Sequence, residues 1–278
     1  MKYCLKWNNL CTHLKDADEI SIRYIEDKGL LDFMKKCADK RIILRLESTN
    51  FSDSEIAKLV AIRRQFPEYS FTVALPNEDV NLVNKFKEHD VPFYFLTPVQ
   101  DWETLNYYIR ELGVSDIDLS GPLGFELPKV KKLLERLELS VQIRITPNVI
   151  RANTQHCPPL KMFFVRPDDI DLYADYVDVV EFEGIEHQDT FFNIYAKKKV
   201  FIGKLNQVIY NFPLPIDNLG LIKYFGEGRI GCGRKCLAGD RCNRCDTLIS
   251  ISEKKGPEIR EKIKEKIIKQ AEEGNDTN

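Results

Sequence analysis

From residue 19 onward the chain alternates short β-like runs with segments of helical pattern. The β-like runs are EISIRY (19–24), RIILRLE (41–47), SFTVALP (70–76), PFYFLT (92–97), DIDLSG (116–121), SVQIRITPN (140–148), MFFVRP (162–167) and DVVEFEG (178–184). Helical patterns fall at 28–38, 53–66, 79–88, 101–112, 125–138 and 169–176, and FFNIYAKK closes the eighth unit. Ser52 or Asp53 is placed to open the second helix and Asp101 the fourth, since a short polar side chain there accepts from an otherwise orphaned backbone N–H. Strands that alternate with helices imply parallel βαβ units, and eight of them match a (β/α)8 TIM-barrel-like parallel barrel. The competitor is an open doubly wound sheet. No G-x-G-x-x-G follows the first strand and no G-x-x-x-x-G-K-[ST] occurs, so the usual nucleotide-binding evidence for that sheet is missing. The expected organisation is a barrel over 1–202, an irregular segment with a cysteine loop over 203–250, and a charged helical tail over 251–278.

Parallel strands are normally apolar on both faces, and these are not. Arg45 and Glu47 share a face of the second run, and Asp116, Asp118 and Ser120 share one of the fifth. Gln142, Arg144, Thr146 and Asn148 share a face of the sixth, and Glu181 and Glu183 one of the eighth, while Arg23 and Arg166 add two cations. In a barrel the apolar face meets the helices, so this polar face points into the lumen. Two readings follow. The charges form an internal ion-pair network, or they surround a substrate. Four arginines suit a carboxylate or phosphate by bidentate geometry, which makes an anionic small molecule the expected ligand. Glu181 and Glu183 suit a divalent ion or an acid–base pair. The candidate binding residues are therefore Arg23, Arg45, Arg144, Arg166, Glu181 and Glu183. His156 joins them from the loop VIRANTQHCPPLK (149–161), beside Cys157, which would lie at the C-terminal face of a barrel. His13, His89 and His187 read as surface residues.

Composition narrows the class. The 278 residues carry a formal net charge of -2, with 43% hydrophobic and 30% charged residues, as in soluble globular chains. Net charge gives no indication of nucleic-acid binding. The N-terminus lacks the apolar core of a signal peptide, and no apolar run is long enough for a bilayer, so a cytoplasmic location without membrane attachment is expected.

The cysteines point to a cofactor. Cys4, Cys11, Cys37 and Cys157 are scattered, but Cys232, Cys236, Cys242 and Cys245 fall within fourteen residues as C-x3-C-x5-C-x2-C. Four thiolates so close in sequence are expected to converge on one metal centre. Arg234, Lys235, Arg241 and Arg244 would offset its negative charge and favour the ligating thiolates. The candidates are a 4Fe–4S cluster and zinc. The short spacer leaves no room for the hairpins of a zinc ribbon, and no histidine stands in the loop, so iron–sulfur is preferred. In the tail, Pro257 suits a first helical turn and Gly274 a stop. Ile259, Ile263, Ile267 and Ala271 form a narrow apolar stripe through which a protein partner could be contacted.

The strand YVDVVEFEG (176–184), the stretch GPLGFELP (121–128) and the cysteines together resemble the collagenase-like peptidase superfamily, which includes iron–sulfur barrel proteins. The resemblance implies a barrel and makes the four cysteines cluster ligands. That family spreads its cysteines along the chain, whereas here they cluster at the end, and its peptidase signature is absent, so no catalytic residue is carried over. The sequence thus supports two readings: a metal-containing barrel enzyme acting on an anionic substrate, or a non-enzymatic binding or assembly protein in which the metal is a structural staple.

Overall fold

The computed structural model describes residues 1–7, 12–24, 29–47, 51–67, 70–150, 163–198 and 201–212, together with single positions at 216, 218, 230 and between 247 and 265. Eight parallel strands are formed: β1 Lys2–Lys6, β2 Glu19–Arg23, β3 Arg41–Arg45, β4 Phe71–Leu75, β5 Phe93–Phe95, β6 Asp116–Asp118, β7 Gln142–Ile145 and β8 Val179–Glu181. Their ladder runs β5-β4-β3-β2-β1-β8-β7-β6. The two ends of that ladder meet through sparser bonds. Ser115 N donates to Phe93 O at 2.9 Å, Val99 N to Asp118 O at 2.7 Å and Ser120 N to Val99 O at 3.1 Å. The sheet is therefore a nearly closed parallel barrel, with β5 and β6 at the seam.

Helices fill the connections: α1 Gly29–Lys36, α2 Asp53–Gln65, α3 Val80–Glu88, α4 Trp102–Asn106, α5 Gly121–Phe125, α6 Leu127–Arg136 and α7 Gln188–Tyr195. Local chemistry sets their starts. Ser52 forms a capping box with Glu55, each side chain accepting from the other's backbone N–H. Asp79 and Asp101 cap α3 and α4 by accepting from Leu82 N and Thr104 N. Helix α4 runs on as a π-helical turn, Tyr107–Leu112, that ends at Gly113 with φ +67°, a left-handed conformation glycine adopts without a Cβ clash. The outward strand residues, such as Leu5, Ile20, Leu44, Val73, Ile143 and Val180, pack with Leu59, Phe86 and Leu105 of the helices in one core. Period two along each strand sends the alternate residues inward.

Two elements differ from the sequence expectation. The first strand is KYCLK at the N-terminus, ahead of all eight expected runs. MFFVRP is not a strand: Phe163, Phe164 and Val165 are buried in an irregular stretch tied by Val165 N to Pro147 O at 3.1 Å. A short apolar run signals burial, which a packed connection satisfies as well as a strand. The count of eight survives because one strand is gained and one lost. After α7 the chain packs back on the barrel through Leu205, Val208, Ile209 and Phe212, and Tyr210 bridges to Val149. The described positions between 247 and 265 are helical on both sides of Pro257. Among the described residues no helix is long and apolar enough to cross a membrane.

Candidate functional site in the barrel interior

The inward faces carry an ionic ladder that rises along the barrel axis. At its lower end, Arg41 of β3 grips Asp116 of β6 with two bonds of 2.7 and 2.6 Å. The same guanidinium reaches Glu19 at 3.2 Å, Gln142 at 2.8 Å and Thr72 at 2.5 Å. Arg144 of β7 lies above and is 1% exposed. It donates to Glu19 at 2.7 Å, to Asp116 at 3.1 Å and to Glu181 at 3.3 Å, and its guanidinium stands 5.1 Å from the centre of the Tyr94 ring. Two arginines and two carboxylates, Glu19 and Asp116, thus neutralise one another in the lower half. Burial works against the Asp116 carboxylate, and the bond from Arg41 with the charge of Arg144 outweighs it, holding Asp116 below the usual carboxylate range. Glu181 is likewise held low: burial opposes its charge, and Arg45, Arg144 and Lys6 more than compensate.

At mid-height the strands β1, β3 and β5 contribute Cys4, Ile43 and Tyr94, with Ala74 and Val179 packed among them. Arg144 over the Tyr94 ring completes a layer drawn from alternate strands, the arrangement expected of an eight-stranded barrel. Burial pushes the Cys4 thiol and the Tyr94 hydroxyl well above their ordinary values, so both are neutral. The upper half is more open. Arg45 Nη1 meets Glu181 Oε1 at 3.1 Å with 29% of the arginine side chain exposed, and Lys6 Nζ meets Glu183 Oε2 at 3.3 Å with the glutamate side chain 46% exposed.

The sequence-derived candidates therefore separate into four groups. Arg45, Arg144 and Glu181 do meet in the interior, whereas Glu183 pairs with Lys6 and is 46% exposed. Arg23 lies on the inward face but beyond the rim, in an exposed pair with Glu47. Arg166 is not on a strand; it is buried beside the barrel, bound to Asp169 by two bonds of 2.7 Å and to Asn218 O at 2.8 Å. His156 and the four clustered cysteines lie outside the described residues. His13 is half-buried rather than on the surface, stacked on Phe192 at 5.1 Å. Glu19, Arg41, Lys6, Cys4 and Tyr94 went unnoticed in the sequence. Glu19 and Arg41 share the parity of Arg23 and Arg45, so extending the alternation to the first residue of each strand finds them.

No family model matches the sequence, and no curated protein matches it. Solved structures of similar fold include a U32 peptidase at 14% identity, with 66% of this chain and 92% of that one covered and a TM-score of 0.41. They also include a 4-hydroxy-2-oxoglutarate aldolase at 13% identity, with 70% and 92% covered and a TM-score of 0.33. The likeness concerns the barrel, and no residue role is taken from it.

Proposed function

We propose that this chain is a metal-containing barrel enzyme that takes a small anionic substrate at the C-terminal mouth of its strands. The observation that supports it most is the contrast between the two halves of the lumen. Below, Arg41 and Arg144 each make several side-chain bonds, and Glu19, Asp116 and Arg144 are at most 1% exposed. Above, Lys6 and Arg45 each make a single side-chain bond among the described residues, and the Arg45 side chain is 29% exposed. Cations placed so, at the ends of strands where barrel sites form, suit a carboxylate or phosphate group. Glu181 and Glu183 stand beside them as the groups available for proton transfer. The protein is read as cytoplasmic.

The metal centre is assigned to Cys232, Cys236, Cys242 and Cys245 on their spacing, as a 4Fe–4S cluster in preference to zinc. Four thiolates would hold either group, and a cluster would supply electron transfer. The described residues contain no other group of His, Cys, Asp or Glu arranged to hold a metal. Cys4 does not compete, since its thiol is enclosed and protonated. Anaerobic purification followed by metal and sulfide analysis and an absorption spectrum tests this. Brown protein with about four iron and four sulfide per chain is the expected result. Colourless protein with one zinc would replace the cluster by a staple, and metal-free folded protein would remove the assignment.

The second reading, a binding or assembly scaffold that meets a protein partner through its C-terminal helix, is favoured by the completeness of the Arg41–Arg144 network, which needs no ligand. Saturable stabilisation of the protein by a small anion separates the two, because the scaffold reading expects none.

A further inference from the structure

Three inward hydroxyls, Ser21 Oγ, Tyr94 Oη and Ser120 Oγ, are buried and have no hydrogen-bond partner among the described residues. Their residues are 2%, 2% and 7% exposed. A buried hydroxyl without a partner costs about 1–3 kcal/mol, so three around one lumen call for something that bonds them. The register places Ser21 on the upper side of the ionic ladder, while Tyr94 stands at its middle beside Arg144 and Cys4. Ser21 of β2 stands beside Lys6 of β1. Tyr94 lies in the row that runs from Arg45 through Ala74. Ser120 follows β6 at the seam. Ser21 and Ala74 fall between the Tyr94 layer and the level of Lys6 and Arg45, where barrels usually carry bulky side chains. Both side chains are small, and polar residues surround Ser21.

We infer that a chamber for one oxyanion group of the substrate, a carboxylate or a phosphate, lies at this level, with Ser21 and Tyr94 donating from below and Lys6 and Arg45 closing over it. The inference rests on the anionic-substrate reading and adds the floor of the site. Hydroxyl donors and cations converge on an acceptor with several lone pairs, which a planar carboxylate or tetrahedral phosphate provides. Arg144 is excluded from contact by Tyr94 and its own carboxylates, so it positions the tyrosine and does not bind the group.

The test uses the full-length protein as wild type, Ser21→Ala and Tyr94→Phe, melted with increasing sodium malonate or sodium phosphate against sodium chloride of equal ionic strength. Each variant removes an unpartnered hydroxyl, so without anion its melting temperature should match or exceed that of the wild type. The wild type should be stabilised saturably by one of the two anions, malonate identifying a carboxylate and phosphate a phosphoryl group. Both variants should need at least tenfold more anion for the same effect. Equal saturable stabilisation of all three proteins would overturn the chamber while leaving an anion site elsewhere at the mouth. No saturable stabilisation of the wild type would overturn the chamber and the anionic-substrate reading together. A variant that melts well below the wild type without anion would show its hydroxyl already bonded within the protein, and would also overturn the chamber.

Discussion

Replacing Arg144 with Met removes the cation at the centre of the ladder and keeps a side chain of comparable length. Arg144 is 1% exposed and bonds Glu19 at 2.7 Å, Asp116 at 3.1 Å and Glu181 at 3.3 Å. Breaking a buried ion pair from one side costs about 3–5 kcal/mol, because the opposite charge is left without compensation. Here the loss falls at the lower end of that range. Arg41 still holds Asp116 and Glu19, and Arg45 still holds Glu181. A cost of about 3 kcal/mol, at roughly 2–4 °C per kcal/mol for a chain of this size, lowers the melting temperature by about 6–12 °C at pH 7. The pH dependence carries a second check. Asp116 and Glu181 have folded-state values below the ordinary 3.8 and 4.5. Their contribution is therefore fully present above those values and is lost as pH falls through the folded ones. The variant lacks the cation that holds them down, so its carboxylates protonate at higher pH. The gap between wild type and variant should be widest at neutral pH and shrink below about pH 5. Thermal melts of both proteins between pH 4 and pH 8 measure this. A variant that melts within 2 °C of the wild type at pH 7, or a gap that does not change with pH, would refute the network as described.

Other expectations concern the frame around the site. Ser52→Ala removes the capping box of α2 and should cost about 1 kcal/mol in urea unfolding, with Ser52→Gly costing less. At Gly184, where φ is +84°, an added Cβ would lie 2.2 Å from Tyr210 Oη; Gly184→Ala should destabilise by roughly 2 kcal/mol or more from backbone strain and the clash, measured by the same melts. Iodoacetamide under native conditions should leave Cys4 unlabelled, as an enclosed thiol of raised pKa, and mass mapping after the reaction would read this directly. Chelation or oxidative loss of the proposed metal should lower the melting temperature, read by calorimetry, and an unchanged melt would argue against a folding role for the four cysteines.

The parity of polar residues was the most informative signal in the sequence. Alternation of Arg45, Arg144 and Glu181 with Ile, Leu and Val told which face turns inward, and the structure joins these three in one chain of ion pairs. Parity says nothing about height along the axis. It could not show that Arg23 and Glu47 pass the rim, or that Arg144 sits low enough to be consumed by Glu19 and Asp116. The first strand was missed because KYCLK is five residues long and carries a lysine at each end, a weak match to a buried strand. Arg166 was misplaced for the opposite reason. The apolar FFV before it looked like a strand, whereas the neighbouring Asp169 at i+3 already offered a local partner. Tyr94 was invisible as a site residue, since an aromatic inside a β-like run reads as core. Only its position over Arg144, and a hydroxyl with no partner, mark it.

On this reading one lumen holds two kinds of charge, a saturated structural set below and a ligand-ready set above. The melting temperature of Arg45→Met, taken with and without the anion that stabilises the wild type, tests that division most directly. Glu181 keeps its bond to Arg144 in this variant, so the account predicts a melting temperature within about 3 °C of the wild type without ligand, since an interaction of about 1 kcal/mol or less is lost. It also predicts that the anion-dependent rise disappears. A variant that melts as low as Arg144→Met, or that keeps the full anion-dependent rise, would contradict it.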